Sequence, residues 1–506
     1  MTIGKPLAWI AAVMFVQPAP ARELPPANAI DAYIVAKMHS AHFPGVAVAI
    51  VEGDRVVYMK TYGRADPSGR AVTPQTPFML GSITKSITAL AIMQLVDAGK
   101  VDLDAPVQRY LPWFRLADPR AAARITVRHL LTMTSGIRQS YETELWPDSD
   151  DRALERAVRL VATTEPAGPA GSTFGYSNAN YETLGMIVQA VSGESYEDYL
   201  KKHIFAPLDM RHTYVSQDEA IRNGMASGHR WWFGIPVAVT LPFNRSELPA
   251  GYVIASTEDM THYLIAELND GRYGSASVLS PRAMALRHLE PPVYDYGFGW
   301  EFIHEHGHTI IDHDGGTMNS QASVFIDLDA RVGVYIAANA ISALDAFASP
   351  SGSSSLDGTT TRAMAHTILS LATNRPVPDT RPGIERLTAI LDLVIALLTV
   401  ALIVSLVRMP GRLARLARRG IPTRKEKRRR VGVAIILNWT LPLALLWATL
   451  DSAPWQVIVP FQPDLAYWLD GVAIVLFVKG ALEIAVLRRH RAAPSTTAPP
   501  AAAAAR

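Results

Sequence analysis

A serine and a lysine three residues apart open an apolar segment. Ser82 and Lys85 belong to the run Gly-Ser-Ile-Thr-Lys, and the spacing of the apolar residues predicts a helix over 82–96. Because residues three apart share one face of a helix, the amine lies beside the hydroxyl at the helix N-terminus. A desolvated lysine can lose its proton near neutral pH and activate the serine as a nucleophile. The alternative is a polar helix cap followed by a surface lysine.

A second candidate set, Tyr176-Ser177-Asn178, precedes a helix predicted over 180–191. A tyrosine close to a cation can exchange protons with a serine hydroxyl. The asparagine amide can donate to a substrate carbonyl and orient the lysine. The alternative is that these residues only cap the helix.

A third set, His313-Asp314-Gly315-Gly316, follows a strand predicted over 308–312. Glycines beside a strand let a substrate approach the backbone, and a free N–H group there can complete an oxyanion hole. The alternative is a simple β-turn, since Asp-Gly is a strong turn pair.

The elements that must position these residues follow from the periodicity of residues 29–374. Two strands and the helix over 82–96 come first, a mostly helical stretch follows, and further strands and a last helix close the segment. The predicted strands lie at 46–51, 56–58, 296–303, 308–311, 322–326 and 333–338, and the last helix at 361–372. This order indicates an α+β domain, with an antiparallel sheet assembled from both ends of the segment and an inserted helical subdomain.

The composition excludes several classes of site. The chain has 506 residues, a formal net charge of +2 and no cysteine. Disulfides, thiolate metal sites and cysteine nucleophiles are therefore ruled out. The nearly neutral charge gives no indication of nucleic-acid binding.

Both ends of the chain carry the features of a membrane protein. Residues 1–21 contain Lys5, an apolar core and Ala-Pro-Ala, and so predict a signal peptide; the alternative is an uncleaved anchor. A linker is predicted over 375–386, and transmembrane helices over 387–407, 431–450 and 465–487 form a membrane domain ending at 491. The tail, 492–506, is rich in Ala, Pro and Thr and is predicted to be disordered.

The charges around these helices predict an orientation. Residues 408–430, between the first two helices, carry eleven Arg and Lys against one Glu. The positive-inside rule places this loop in the cytoplasm and the segment over 29–374 outside, in the periplasm or extracellular space. The third helix contains Asp470, Lys479 and Glu483, which must then face neighbouring helices or the membrane interfaces.

In their order and approximate separation, Ser82-Ile83-Thr84-Lys85, Tyr176-Ser177-Asn178 and His313-Asp314-Gly315 resemble the motifs of the class C β-lactamase and penicillin-binding-protein superfamily of serine hydrolases. The flanking sequences at 44–49, 129–136, 249–251 and 256–260 are also similar to that family. The resemblance covers about residues 29–374 and implies the β-lactamase/transpeptidase-like fold, an antiparallel sheet flanked by helices with a helical subdomain.

The resemblance also implies a role for each matching residue. Ser82 would be the acylated nucleophile, and Lys85 and Tyr176 would share the work of general base and general acid. Asn178 would contact the substrate amide and orient the lysine. The backbone N–H groups of Ser82 and Gly316 would form the oxyanion hole.

One position departs from the pattern. His313 stands where many β-lactamases and carboxypeptidases have the lysine of a Lys-Thr-Gly motif, and Gly315 stands at the glycine. Because histidine is mostly neutral at pH 7, His313 is expected to be a weaker anchor for a substrate carboxylate. The resemblance therefore implies an esterase or D-amino-acid peptidase rather than an efficient β-lactamase.

Two other features carry alternatives. His304, His306 and His308 alternate as metal ligands do, but Gly307 indicates a hairpin turn that would separate them, so no metal site is predicted. The run Arg-Trp-Trp-Phe-Gly at 230–234 could be a lip over a cleft, a patch that touches lipid, or a packed insertion.

The sequence therefore predicts a multi-pass inner-membrane serine hydrolase that acts through a Ser82 acyl-enzyme on an ester, amide or D-amino-acid peptide. The alternative is a sensor that is acylated by a β-lactam or cell-wall fragment without fast turnover and signals through its membrane helices. The expected partners are a small-molecule or peptide substrate and membrane lipid, with no cofactor and no nucleic acid.

Overall fold

A computed structural model of the chain describes residues 27–139, 148–341, 359–378, 384–419, 424–440, 442–443, 447 and 463–489. The predicted signal peptide over 1–21 and the predicted disordered tail over 492–506 lie outside these residues. The predicted linker over 375–386 lies partly outside them.

The strands of the described residues belong to one large sheet and several small ones. In chain order they are β1 (Gly45–Glu52), β2 (Arg55–Gly63), β3 (Pro77–Met79), β4 (Thr213–Tyr214), β5 (His229–Trp232), β6 (Ile235–Ala238), β7 (Ile254–Ser256), β8 (Arg272–Tyr273), β9 (Ala276–Ser277), β10 (Tyr296–Gly297), β11 (Trp300–Glu305), β12 (His308–Thr317), β13 (Ser320–Asp327), β14 (Val332–Ala338) and β15 (Ala340–Ile341). Seven of the described strands form the large sheet, in the order β10-β11-β12-β13-β14-β1-β2, and every neighbouring pair is antiparallel.

Helices cover both faces of this sheet and fill the middle of the domain. The α-helices are α1 (Ala27–Ser40), α2 (Thr84–Asp97), α3 (Pro119–Ala122), α4 (Val127–Leu131), α5 (Ala153–Leu160), α6 (Asn178–Ser192), α7 (Tyr196–Leu200), α8 (Gln217–Arg222), α9 (Leu248–Gly251), α10 (Thr257–Leu268), α11 (Pro281–Arg287), α12 (Thr360–Ala372), α13 (Ile384–Arg419), α14 (Arg424–Ile435) and α15 (Pro463–Arg489). Short 3₁₀ turns lie at Gly81–Ile83, Val107–Arg109, Val161–Thr163 and Arg245–Glu247, and single π-helical turns at Lys201–Phe205 and Ile436–Thr440.

Strand β1 shows why the sheet is buried on both faces. Val46 and Val48 belong to a core that also contains residues of α1 and α12, whereas Ala47 and Val51 belong to the core that contains α2 and α10. Alternate residues of a strand point to opposite faces, so an almost continuous apolar run is needed to fill both cores. The α+β prediction, with a sheet built from both ends of the domain and helices between, is confirmed.

Two predicted strands differ from those observed. The strand predicted over 296–303 is interrupted, because Phe298 and Gly299 have φ of +56° and +80° and form a two-residue turn between β10 and β11. A Cβ on Gly299 would lie 2.6 Å from backbone atoms of Ser86, so the turn packs directly on α2. Strand β12 is longer than predicted and runs through residues 313–316 to Thr317, so these residues do not form a turn.

The hairpin turn predicted at Gly307 is confirmed. His306 and Gly307 both have positive φ and join β11 to β12, and the histidines on either side of the turn have separate partners. His304 pairs with Glu290, whereas His308 pairs with Asp327. They do not form the shared face that a metal site of alternating histidines would need.

The C-terminal helices coincide with parts of the predicted membrane domain. Among the described residues one segment, Asp392–Arg415 in α13, is long and apolar enough to cross a membrane. The second predicted span is described only in part, through α14 and the π turn that follows it. The third lies within α15, where Lys479 donates to Asn438 Oδ1 at 2.9 Å and lies 3.9 Å from Glu483. The three-helix membrane domain therefore stays a prediction, with one span of the required length and composition described.

Candidate active site

Ser82 lies in the 3₁₀ turn Gly81–Ile83, which leads directly into α2. Its side chain is half-buried, and its hydroxyl oxygen is within hydrogen-bond distance of two other side chains. The Nζ atom of Lys85 lies 2.9 Å from Ser82 Oγ, and the hydroxyl of Tyr176 lies 2.8 Å from it. The structure thus brings together a hydroxyl, an amine and a phenol, two of which are separated by 94 positions in the chain.

Two glycines allow strand β12 to pack against the turn that holds Ser82. Gly81 has a φ of +56°, and a Cβ on it would lie 2.6 Å from the backbone nitrogen of Gly316. A Cβ on Gly315 would lie 1.9 Å from the carbonyl oxygen of Leu80 and 2.9 Å from the backbone nitrogen of Ser82. Only glycine permits this approach, which brings the backbone nitrogen atoms of Ser82 and Gly316 to the same small region.

Lys85 is completely buried on the first turn of α2. Besides Ser82 Oγ, its Nζ atom donates to the carbonyl oxygen of Ala250 at 2.7 Å. The same atom lies 4.9 Å from the centre of the Tyr176 ring and 5.9 Å from the centre of the Tyr181 ring. These contacts hold the amine against the serine hydroxyl, and the burial of the side chain supplies the desolvation that activation of a lysine requires.

Tyr176 is placed by the segment just before α6, whose first residue is Asn178. Burial raises the pKa of the Tyr176 phenol well above its ordinary value, and the hydrogen bond with Ser82 opposes that rise only in part. This differs from the lowering that a nearby cation alone would cause, because removal from water outweighs the other interactions. The resting phenol is therefore neutral and donates its proton toward Ser82 Oγ.

Asn178 is oriented by an acidic residue that the sequence motifs did not include. Its side-chain nitrogen donates to Glu247 Oε2 at 3.1 Å, and its backbone nitrogen donates to Gln139 Oε1 at 2.7 Å. Glu247 is 2% exposed and ends the 3₁₀ turn Arg245–Glu247. Because a carboxylate accepts but cannot donate, this contact fixes which end of the Asn178 amide is the nitrogen.

His313 lies at the site on β12, but its ring is only 1% exposed. Its Nδ1 atom lies 2.6 Å from the carbonyl oxygen of Asp314, which can only accept, so Nδ1 carries a proton. Its Nε2 atom lies 3.2 Å from the hydroxyl of Tyr296, which donates to it when the ring is neutral. Burial lowers the pKa of His313 to about 4.

The structure brings six of the seven predicted site residues together, and the seventh, His313, lies at their edge. Six of them, Ser82, Lys85, Tyr176, Asn178, Gly315 and Gly316, form one continuous region around the serine hydroxyl. His313 borders this region, and its two ring nitrogens are already engaged by Tyr296 and by the carbonyl oxygen of Asp314, so a contact with a substrate carboxylate stays a prediction.

Sequence reasoning missed two residues of this region, Tyr296 and Glu247. The Tyr-Gly-Phe-Gly-Trp run at 296–300 was the feature that could have indicated Tyr296, because its glycines permit the chain to turn there. Glu247 stands two residues before the flanking sequence at 249–251 that resembles the family, and this position could have indicated it.

Among the described residues one group has the spacing of a cation site, namely His308, Asp327 and Asp329, whose ligand atoms lie within 4.8 Å of one another. Asp327 is already paired with Arg375 and accepts from the backbone nitrogen of Ala330 at 2.7 Å. His308 opens β12, whereas the residues near Ser82 lie at its other end, so this group does not belong to the active site.

Comparisons with known proteins agree with this geometry. A family model described as Beta-lactamase matches residues 30–347. The chain is 30% identical over 312 residues to Protein flp of Staphylococcus aureus (strain MW2), covering 61% of this chain and 62% of that protein. It is 32% identical over 284 residues to Penicillin-binding protein 4 of Amycolatopsis lactamdurans, covering 54% and 73%.

A solved structure shows the same architecture. The octameric penicillin-binding protein homologue from Pyrococcus abyssi aligns with a TM-score of 0.60 at 26% identity, covering 71% of this chain and 80% of that one. The chain spans 62% of the length of the flp protein, so the match concerns the sheet-containing domain rather than that whole relative.

Proposed function

This chain belongs to the Beta-lactamase family, whose members include penicillin-binding proteins, and on that premise we propose that it is a membrane-anchored serine hydrolase that forms an acyl-enzyme at Ser82. The observation that supports this most directly is the pair of contacts at Ser82 Oγ, 2.9 Å from Lys85 Nζ and 2.8 Å from the Tyr176 hydroxyl. A nucleophile needs a base within hydrogen-bond reach, and here two proton-exchanging groups are in place.

Acylation proceeds in this proposal by transfer of the Ser82 proton to the neutral amine of Lys85 as Oγ bonds to the substrate carbonyl carbon. The carbonyl oxygen becomes an oxyanion stabilised by the backbone N–H groups of Ser82 and Gly316. Tyr176, held neutral by burial, gives its proton to the leaving group as the carbonyl–leaving-group bond breaks. Lys85 then returns a proton to Tyr176.

Deacylation repeats these steps with water in place of Ser82. Water attacks the acyl carbonyl carbon, the same two groups accept its proton and return one to Oγ, and the acid product leaves. Asn178 contacts the amide or ester portion of the substrate, in the orientation that Glu247 fixes.

The substrate class follows from the charge at position 313. A neutral, buried histidine offers no permanent cation to a substrate carboxylate, whereas the acylation machinery does not depend on such a cation. We therefore propose an ester, amide or D-amino-acid peptide as the substrate and slow hydrolysis of penicillins. The catalytic domain faces the periplasm or extracellular space, and the apolar helix containing Asp392–Arg415 supplies an anchor.

Covalent labelling tests the proposal. The full chain in detergent is treated with a fluorophosphonate, with p-nitrophenyl esters and with a penicillin, and adducts are located by mass spectrometry. We expect one adduct, on Ser82, and its loss in Ser82→Ala together with a fall in ester turnover of several orders of magnitude. Ser192→Ala changes a helical serine whose hydroxyl donates to the carbonyl oxygen of Val188 and accepts from the backbone nitrogen of Glu194, and it should retain both. Labelling of Ser82→Ala at the native rate contradicts the proposal.

A second function is favoured by one contact between the hydrolase domain and a membrane helix. The backbone nitrogen of Phe233 donates to Asp464 Oδ2 in the first turn of α15 at 2.8 Å. A domain joined to the helices in this way could report acylation across the membrane, as a β-lactam or cell-wall-fragment sensor would. Rapid release of the acyl group indicates the hydrolase, and an adduct that outlasts many expected turnovers indicates the sensor.

A further inference from the structure

The hairpin formed by β5 and β6 connects the hydrolase domain with the C-terminal helices. Its two-residue turn is formed by Phe233 and Gly234, with φ of +49° and +78°, which is the geometry of a tight hairpin turn. At this turn the backbone nitrogen of Phe233 donates to Asp464, and a Cβ on Gly234 would lie 3.3 Å from Asp392 Oδ2. The tip therefore lies beside Asp392, where the apolar segment of α13 begins, and beside the first turn of α15.

Aromatic contacts fix the hairpin on both sides. Trp232 stacks on Tyr467 of α15, with ring centres 6.1 Å apart. Trp231 stacks on His42 at 5.4 Å, and Nδ1 of His42 donates to the carbonyl oxygen of Gly234 at 3.0 Å. The hairpin is thus held by the hydrolase domain and by the helix at the same time.

Three further side chains of the hairpin are apolar and exposed. Phe233 is 47% exposed, Ile235 65% and Val237 40%. Helix α13, which lies beside the tip at Asp392, also carries exposed apolar residues, with Leu393 59% exposed and Leu397 60%. An exposed apolar surface next to a membrane-spanning segment, with Trp and Tyr at its edge, has the composition of the aromatic belt at a bilayer interface.

We propose that the tip of the β5–β6 hairpin inserts into the outer interface of the lipid bilayer and holds the hydrolase domain against the membrane surface. The occupant of this apolar surface is lipid, because the tip lies beside Asp392, where the apolar segment of α13 begins, and beside the first turn of α15. The proposal rests on the membrane anchoring proposed above.

The same hairpin borders the active site, so its position on the membrane fixes which rim of the site lies closest to the bilayer. β5 pairs with β15, where Ile341 lies opposite Arg230, and Arg230 donates to the carbonyl oxygen of Met318. A Cβ on Gly316 would lie 3.1 Å from Ile341 Cδ1. The rim of the active site on the Gly316 side is therefore its membrane-proximal rim.

The absence of cysteine from the chain allows a clean test with single labels. Ile235→Cys and Val237→Cys carry an environment-sensitive nitrobenzoxadiazole label in the full chain, reconstituted into phosphatidylcholine/phosphatidylglycerol nanodiscs. Quenching is measured with lipids that carry a nitroxide near the headgroup, with lipids that carry it along the acyl chain to reach position 397, and, separately, with aqueous iodide.

The matched control is Val56→Cys. Val56 is 41% exposed, against 40% for Val237, but it pairs with Val51 near the end of β1 and β2 that lies away from Gly45 and Gly63. The other end of these strands lies near the hairpin, because the backbone nitrogen of Gly45 donates to the side chain of Asn339, which directly precedes β15, the strand that pairs with β5. Val56 therefore lies several residues, or roughly 20 Å, from the hairpin end of the sheet. Leu397→Cys, in the middle of the proposed span, reports anchoring itself.

We expect the lipid nitroxide to quench the labels at 235 and 237 and to leave the label at 56 unaffected. Iodide should quench the label at 56 and leave the labels at 235 and 237 unaffected. Strong iodide quenching at all three positions would show the hairpin in water and overturn the proposal. Protection from both quenchers would show a protein partner or a second copy, and would also overturn it. If Leu397 is quenched by lipid and Ile235 is not, the docking fails while anchoring stands; if neither is quenched, both fail.

Discussion

The hydroxyl of Tyr296 lies 3.2 Å from Nε2 of His313, deep beside the serine of the active site. The hairpin turn at Phe298 and Gly299 brings this tyrosine back toward β12, and its ring also packs edge-on against Tyr176 at 6.2 Å. With Nδ1 donating to the carbonyl oxygen of Asp314, both ring nitrogens of His313 are engaged. A neutral histidine in a fixed tautomer follows from these contacts.

His313 should make the protein acid-sensitive. Its pKa in the folded chain is about 4, below the ordinary value of about 6.5, so the unfolded chain takes up the proton first as the pH falls. The contribution of His313 to stability is complete above about pH 6.5 and is lost toward pH 4, at up to about 1.4 kcal/mol per pH unit. Thermal unfolding at pH 4.5 and 7.5 should show a smaller acid-induced loss in His313→Asn. His306→Asn, at the exposed hairpin turn, should behave as wild type; an unchanged loss in His313→Asn would refute the assignment.

Tyr296→Phe should lower the free energy of unfolding by about 1–3 kcal/mol, because it leaves a buried ring nitrogen without its donor. The same loss makes the protonated ring less unfavourable and moves the pKa of His313 toward its ordinary value, so the acid-induced loss of stability should be smaller than in wild type. Tyr294→Phe is the control, since that hydroxyl makes an exposed contact with the carbonyl oxygen of Ser172. Denaturation curves of the two variants across pH provide the measurement, and equal curves would contradict the role given to Tyr296.

Gly315→Ala should damage the site through the backbone alone. Its Cβ would lie 1.9 Å from the carbonyl oxygen of Leu80, so β12 or the Ser82 turn must move. We expect a loss of at least about 1–3 kcal/mol in stability and of labelling at Ser82. In Gly168→Ala the nearest atom to the new Cβ is 3.7 Å away, and both properties should be retained. Normal labelling in Gly315→Ala would show that this close approach is not required.

Glu247→Leu should lower kcat/KM by about 10- to 100-fold, as expected for loss of a charge-assisted hydrogen bond worth about 1.5–3 kcal/mol. Asn178 would then lose the acceptor that orients its amide, so the fall should lie mainly in kcat. Glu247→Gln keeps an acceptor oxygen and should recover part of the activity. In the control Glu258→Leu the lost partner is the side-chain nitrogen of Gln75, 2.9 Å away and outside the site. Equal losses in Glu247→Leu and Glu247→Gln would argue against an orienting contact.

Reporter fusions test the membrane topology. An outward-facing hydrolase domain requires the basic loop over 408–430 to be cytoplasmic, and three spans then leave the end of the third helix in the cytoplasm as well. A reporter after Arg491 should be active only if it works in the cytoplasm, and one near Pro460 only if it works outside. Activity of a periplasmic reporter after Arg491 would remove the third span.

The sequence by itself determined most of the local elements and placed Lys85 beside Ser82. An apolar run such as 46–51 can fill two cores only as a buried strand, and the apolar period after Ser82 requires a helix that places Lys85 beside it. These relations act over a few residues, within the range in which periodicity and side-chain direction operate. The motif order added Tyr176, Asn178 and the glycines of β12 through resemblance to a family.

Only the tertiary structure decided which groups touch. Tyr296 reaches His313 because Phe298 and Gly299 reverse the chain on the surface of α2, where the sequence pattern predicted one continuous strand. Glu247 reaches Asn178 across 69 positions. The pKa of Tyr176 rises instead of falling because removal from water exceeds the effect of its neighbours. Burial, tautomer and long-range contact depend on how the sheet and helices close around the site, and no local pattern of residues specifies that closure.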